Sequence, residues 1–163
     1  MKTPVHVLKA GAALICFVWI APAFADVALT TTVQKMERVI APDGTVSSRL
    51  IAAEKVVPGD DVHYTITFAN DGSKPVDAGT TVITNPVPEN TQYISDSAFG
   101  SGTTIQFSVD GGKSFHPANE LTVVRDGVKV PASSADYTTI RWVFGPALAP
   151  AAQSYVSFNA RLK

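Results

Sequence analysis

The 163-residue sequence predicts an all-β fold, a sandwich of two antiparallel sheets. Residues after position 25 show no sustained apolar period of about 3.6 residues, so no amphipathic helix is indicated. Short runs rich in Val, Ile, Thr, Tyr and Phe alternate with clusters of Gly, Pro, Asn and Asp. The clearest runs alternate apolar and polar residues, which is typical of strands with one buried face.

Four runs show the strongest alternation. In the run 61–70, Val62, Tyr64, Ile66 and Phe68 fall on one face of a strand, and the polar residues fall on the other. Three further runs have apolar faces formed by Ile105, Phe107 and Val109, by Ile140, Trp142 and Phe144, and by Val156, Phe158, Ala160 and Leu162. Trp142 is therefore expected in the core, among aliphatic side chains.

Weaker strands are predicted at 27–40, 47–57, 79–84 and 119–124, with turn residues between them. Eight or so strands over this length favour a two-sheet sandwich of the immunoglobulin type, and a closed barrel is the alternative. The sequence contains no internal repeat and no long linker. We therefore expect one domain, 26–163.

Residues 1–25 have the pattern of a secretory signal peptide. Lys2 and Lys9 form a basic start, an apolar run covers 10–24, and Ala-Phe-Ala at 23–25 fits a signal peptidase site. The apolar run is shorter than the roughly 20 residues of a membrane-spanning helix, which disfavours an uncleaved anchor. Cleavage after Ala25 predicts a periplasmic or secreted bacterial protein with no membrane span in its mature form.

Cys16 is the only cysteine, and it lies inside the apolar run. Ile15 precedes it and the run continues beyond it, a context that does not fit lipidation. The mature chain is then expected to have no disulfide and no thiolate metal site. Residues 26–163 contain 11 basic and 14 acidic residues, a net charge of −3. Neither a basic nucleic-acid footprint nor an amphipathic membrane-binding run is indicated.

Two histidines, His63 and His116, are the only candidates for a catalytic base in the mature sequence. His63 falls on the polar face of a strand, and His116 follows a glycine-containing loop. Neither is near a nucleophile-elbow motif, and the two lack the short spacing of zinc ligands. The sequence therefore predicts no catalytic residue and no cofactor.

Calcium binding is the best chemical alternative. Asp60, Asp61, Glu89 and Asp110 are candidate ligands, because loops after alternate strands return to the same end of a sandwich and supply hard oxygens. The competing interpretation is that Asp is simply favoured in turns, where it caps the backbone. We favour the second interpretation, since no EF-hand spacing is present.

The loop within 107–115, Phe-Ser-Val-Asp-Gly-Gly-Lys-Ser-Phe, is the most motif-like run. It lacks the first spaced glycine of a phosphate-binding loop, and strands are predicted on both sides of it. Its Ser-x-Asp-x-Gly-x-Ser-Phe pattern resembles the Asp-box turn, a structural hairpin device of propeller proteins. We expect Asp110 and Ser114 to bond the turn's backbone, and Gly111 or Gly112 to adopt a positive φ.

The run 47–57 is a candidate edge strand, with Arg49, Glu54 and Lys55 as charges that block unwanted pairing. An exposed edge can accept a strand from another polypeptide. This favours a non-catalytic module. The main alternative, an enzyme or small-ligand carrier, is disfavoured because the assigned inward positions include no carboxylate and no histidine. A chaperone for surface subunits is a third, weaker alternative, because such proteins generally need two domains.

The segment 56–98 resembles the bacterial conserved-repeat domain known as domain of unknown function 11. The resemblance is carried, in order, by Pro58-Gly59-Asp60, Tyr64-Thr65-Ile66, Asn70, Pro86 to Pro88, Tyr93 and Ser97. It departs from the family where Thr84-Asn85-Pro86 replaces a Thr-Asp-Pro-like triplet. The resemblance implies an immunoglobulin-like sandwich on exported proteins, used as a structural, spacer or interaction module without catalytic residues.

Together these observations predict an exported, non-catalytic module that binds another protein or a cell-envelope component. A calcium-stabilised surface or adhesion module is the alternative.

Overall fold

The computed structural model describes residues 26–163, which form eleven β-strands and two short 3-10 helices. Every strand pairing within this range is antiparallel. The all-β prediction is therefore confirmed. The predicted signal peptide, 1–25, lies outside the described residues. Within 26–163, no helix has the length and apolar character needed to cross a membrane.

In chain order the strands are β1 (Val27–Ile40), β2 (Val46–Ala52), β3 (Asp61–Asn70), β4 (Thr81–Pro86), β5 (Thr91–Tyr93), β6 (Phe99–Gly100), β7 (Thr103–Ser108), β8 (Thr122–Arg125), β9 (Val128–Pro131), β10 (Thr139–Phe144) and β11 (Gln153–Leu162). The 3-10 helices are Ala118–Glu120 and Ser134–Asp136. The larger sheet has the order β2-β1-β3-β11-β5, with β6 also pairing with β11. The smaller sheet has the order β4-β10-β7, and β8 and β9 form a separate hairpin.

The core lies between the two sheets and takes side chains from both. Phe68 of the larger sheet meets Phe144 of the smaller one edge-on, with ring centroids 5.1 Å apart. Trp142 is fully buried, and its ring lies 6.1 Å from that of Phe158. Its cross-strand neighbours are Ile83 and Ile105, so the predicted aliphatic neighbours are present, and Phe158 is an additional aromatic one. Burying an aromatic side chain of this size stabilises the fold by about 2–3 kcal/mol.

The strand predicted at 27–40 has the same bounds in the structure, but the bounds of the other three weakly predicted strands differ from their predictions. The predicted strand 47–57 ends at Ala52, where its pairing with β1 stops opposite Gln34. Further on, a turn closes where the Asp60 N–H donates to the Val57 carbonyl at 3.0 Å. Glu54 and Lys55 therefore lie beyond the strand. The strand predicted at 79–84 begins at Thr81, after Gly79 with φ +74°. The one predicted at 119–124 begins at Thr122, after a 3-10 helix.

The two sheets differ in width. β1 pairs with β3 over residues 27–35 and with β2 over residues 34–40, so its second half extends past the start of β3. The smaller sheet has three strands and ends at β4. Part of the inward face of β1 is consequently not covered by a strand of the smaller sheet.

Candidate functional site

The glycine loop after β7 is a hairpin turn. Phe107 and His116 exchange both backbone hydrogen bonds, with N···O distances of 2.9 and 3.1 Å, so the chain reverses between them. Gly111 and Gly112 have φ angles of +74° and +85°, a region that glycine adopts without strain. The predicted hairpin and its positive-φ glycines are confirmed.

Asp110 organises this loop through its carboxylate. The carboxylate accepts hydrogen bonds from the Ser108 hydroxyl at 2.6 Å and from the Ser114 hydroxyl at 2.6 Å. It also accepts from the backbone N–H groups of Lys113 and Ser114, both at 3.0 Å. The hydrogen bond from Ser108, followed by those from Ser114, holds the pKa of the Asp110 carboxyl well below its ordinary value. Ser108 is the last residue of β7, and the other donors lie in the loop. The Ser114 hydroxyl bonds to the Asp110 carboxylate, whereas a bond to the turn's backbone was predicted.

Asp60 and Asp61, at the start of β3, are engaged by side chains of neighbouring strands. Asp60 accepts from the Lys35 ammonium at 2.6 Å and from the Val57 N–H at 2.8 Å. Those hydrogen bonds lower the pKa of Asp60, with the Lys35 bond as the main cause. Asp61 receives two hydrogen bonds from the Arg161 guanidinium, at 2.6 and 2.8 Å.

The candidate calcium ligands lie towards one end of the sandwich but do not form a cluster. Lys163 donates its N–H to the Asn90 carbonyl, next to exposed Glu89, while the Leu162 N–H donates to the Asp60 carbonyl. In the described range, no three Asp, Glu, His or Cys side chains lie close enough to hold a metal ion. Calcium binding remains a prediction, and isothermal titration with Ca²⁺ tests it through the heat of binding.

The two histidines lie in different places. His63 is on the outer face of the larger sheet, where its Nδ1 lies 2.6 Å from Asn159 Oδ1. His116 follows the glycine loop, with its Nδ1 4.0 Å from a carboxylate oxygen of Glu120. Neither contact includes a serine or cysteine nucleophile. The His116 region also borders an open depression of about 430 Å³ that includes Asp110 and Lys129.

The buried polar side chains of residues 26–163 are amides and hydroxyls: Asn70, Thr81, Thr91, Ser108, Thr139 and Ser157. Asn70 is the most connected of them. Its amide donates to the carbonyls of Lys74 at 2.8 Å and Leu148 at 2.9 Å, and its oxygen accepts from the Gly72 N–H at 3.0 Å. Asn70 thus joins two loops at one end of the sandwich. Sequence reasoning placed Asn70 at the strand end but did not assign it this role.

β2 is an edge strand, as the sequence predicted for this region. It pairs with β1 only, and Arg49 at its centre donates to Glu37 of β1 at 2.6 Å. Leu50 is 43% exposed on the outer face, opposite Met36. A charged side chain in the middle of an edge strand disfavours pairing with other chains. Of the three predicted blocking charges, Arg49 alone lies on the strand.

A second edge, formed by β4, borders the uncovered face of β1. A groove of about 240 Å³ runs between them and is lined by Val27, Leu29 and Val76 on one side and by residues 80–83 on the other. Leu29 and Val33 are 58% and 41% exposed, although their cross-strand partners Phe68 and Tyr64 lie on the core side of β3. We call this region, the groove together with Val33, the open side.

No known protein-family model matches this chain, and no curated protein or solved structure is significantly similar to it. The geometry of the described residues is therefore the basis for inferring its function.

Proposed function

We propose that this protein is an exported, non-catalytic module with an immunoglobulin-like β-sandwich, which binds another protein or a cell-envelope component. The proposal includes the predicted signal peptide at 1–25 and membership of the conserved-repeat domain family suggested by the segment 56–98. Its main support is the exposure of apolar side chains at two sheet edges, where Leu29 is 58% and Leu50 43% exposed. Leu29 lies with Val27, Val76 and Val82 around one groove, and grouped exposed apolar side chains are typical of interaction sites.

The arrangement of the titratable side chains gives additional support to a non-catalytic function. An enzyme site normally combines a concave pocket with several converging polar groups whose pKa values are shifted towards their task. Here the strongest shift belongs to Asp110, whose carboxylate is occupied by four donors from residues 108–114. His63 lies on β3 of the larger sheet, whereas His116 bridges to Phe107 of the smaller sheet. These features favour binding through the edges over chemistry at a cleft.

The test is a quantitative affinity purification from the cell envelope, using the full chain with a C-terminal tag. We expect a defined component to bind the wild type, and to be lost from a double variant in which Leu29 and Leu50 are both replaced by Lys. Charges on both edges disfavour strand addition while exposing no new apolar surface.

The matched control replaces both histidines, as His63→Ala and His116→Ala together. This variant should retain the component in full. Loss of the component from the histidine variant, with full binding by the leucine variant, would contradict the proposal and place the site at the histidines.

A further inference from the structure

We propose that the open side binds an extended, uncharged segment of a partner polypeptide, which adds to the free edge of β4 as a fourth strand of the smaller sheet and covers Leu29 and Val33. This inference rests on the proposed interaction function and deepens it, because it names the edge and the class of segment that the edge accepts.

The first observation is that no strand of the smaller sheet covers Leu29 and Val33 of β1. Leu29 and Val33 share a face with Phe68 and Tyr64, their cross-strand neighbours on β3. Phe68 is covered by the smaller sheet and fully buried, whereas Leu29 beside it is 58% exposed. A strand added beyond β4 would lie across from β1, since adjacent strands are about 4.8 Å apart and packed sheets about 10 Å apart. It would therefore extend the core over β1.

The second observation is the direction of the backbone groups of β4. Val87 donates its N–H to the Thr138 carbonyl at 2.9 Å, in register with the pairing of β4 and β10. Hydrogen-bonding residues alternate along an antiparallel strand, so Ile83 and Asn85 also bond to β10. Val82 and Thr84 then direct their N–H and C=O groups away from β10, towards the open side. Such an edge is a template for another strand.

The third observation is charge. No charged residue occurs in β1 from 27 to 33 or in β4 from 81 to 86. Lys35, the next charged residue along β1, is already bonded to Asp60 at 2.6 Å. A charged side chain inserted over Leu29 would lose its hydration without gaining a counter-ion, which is costly. The complementary segment is therefore uncharged, with apolar residues at every second position. The β2 edge differs, because Arg49 lies at its centre.

The test uses a capped seven-residue peptide that alternates threonine and valine, with a fluorophore and a short Gly-Ser-Lys tail for solubility. Anisotropy titration of the full-length protein should show saturable binding. Amide hydrogen exchange should slow at Val82 and Thr84 when the peptide is added. A control peptide with proline at alternate positions lacks the N–H donors of a strand and should not bind.

Two matched variants locate the site. Leu29→Lys places a charge on the open side and should weaken binding about tenfold or more. Val124→Lys makes the same change at a 71% exposed position of β8, in the separate β8–β9 hairpin, and should leave the affinity unchanged. Both positions are exposed, and thermal unfolding should confirm that both variants fold.

Several outcomes would overturn the inference. They are failure of the peptide to bind, equal binding by Leu29→Lys, and slowed exchange at β2 in place of β4. Sedimentation showing that a second copy of the chain occupies the open side would also overturn it, in favour of self-association. If the envelope component still binds wild-type protein and is lost with Leu50→Lys alone, the proposed function stands and this inference fails.

Discussion

At the scale of single residues, Asp110 stabilises the glycine loop by accepting four hydrogen bonds from residues 108–114. We predict that Asp110→Ala lowers the melting temperature, because two hydroxyl and two backbone donors lose their acceptor. Asp71→Ala is the control, since Asp71 is another exposed turn aspartate and no hydrogen bond to its carboxylate is present among residues 26–163. Thermal unfolding by circular dichroism measures both. Equal melting temperatures for Asp110→Ala and the wild type would contradict this role.

The same carboxylate makes stability depend on pH. Its pKa is lower in the folded protein than its ordinary value of 3.8, so the unfolded chain takes up a proton at higher pH than the folded one. The stability it contributes is complete above about pH 4 and decreases as the pH falls towards the folded-state pKa. The difference between wild type and Asp110→Ala should therefore shrink from pH 7 to pH 2 in urea unfolding. A difference that stays constant over this range would exclude the linkage.

Replacing Asn70 is expected to destabilise the fold more than its position at a strand end suggests. Asn70→Ala leaves the Lys74 and Leu148 carbonyls and the Gly72 N–H without their partner in a buried site. We predict a loss of roughly 2–4 kcal/mol in the free energy of unfolding, measured by denaturant titration. Asn119→Ala, at an exposed position, should change it by no more than about 0.5 kcal/mol. Similar values for the two variants would refute the joining role of Asn70.

At the scale of elements, the β1–β2 hairpin should open more readily than the rest of the fold. Residues 36–40 of β1 pair with β2 alone, and six of the seven residues of β2 are exposed. Segments with few buried contacts exchange amide hydrogens by local opening. Hydrogen exchange should therefore be faster in 36–40 and 46–52 than in β3, β10 and β11. Equal protection of the hairpin and β3 would contradict this prediction.

Strands with strict alternation could be predicted from the sequence, and strands ended by tertiary contacts could not. The run 61–70 alternates along its whole length and forms β3 with the predicted bounds. The run 47–57 contains no Gly or Pro that would end a strand, but β2 pairs with β1 only as far as Ala52, opposite Gln34, so strand pairing decides where it ends. Short strands such as β6, with two residues, contain too little pattern to detect.

At the scale of the whole molecule, stability depends on the core shared by the two sheets. We predict that Phe158→Ala costs about 3–5 kcal/mol, because it removes a fully buried ring that stacks on Tyr64 and touches Trp142. Phe99→Ala is the matched control, since Phe99 is half exposed. Trp142 is the only tryptophan in 26–163, so its emission reports unfolding. A small loss for Phe158→Ala, equal to that for Phe99→Ala, would contradict the assigned core.

The candidate site was only partly predictable, because it depends on which strand belongs to which sheet. The charges of the run 47–57 identified the β2 region as an edge, and the apolar residues on both sides of the glycine loop placed that loop in a hairpin. The open side arises because β4 ends the smaller sheet while β1 and β2 continue the larger one. That pairing is decided by long-range hydrogen bonds. From the local sequence alone, Leu29 is predicted to be an ordinary inward-facing residue. Exposure of Leu29 and Val33 was therefore visible only in the structure.

The proposed function is binding through the sheet edges. The most direct measurement is amide hydrogen exchange of the full-length protein with and without its purified envelope component. We expect protection to increase at an edge strand, β4 or β2, with little change around His63 and His116. Increased protection confined to the two histidines and the loop 109–116 would contradict the account.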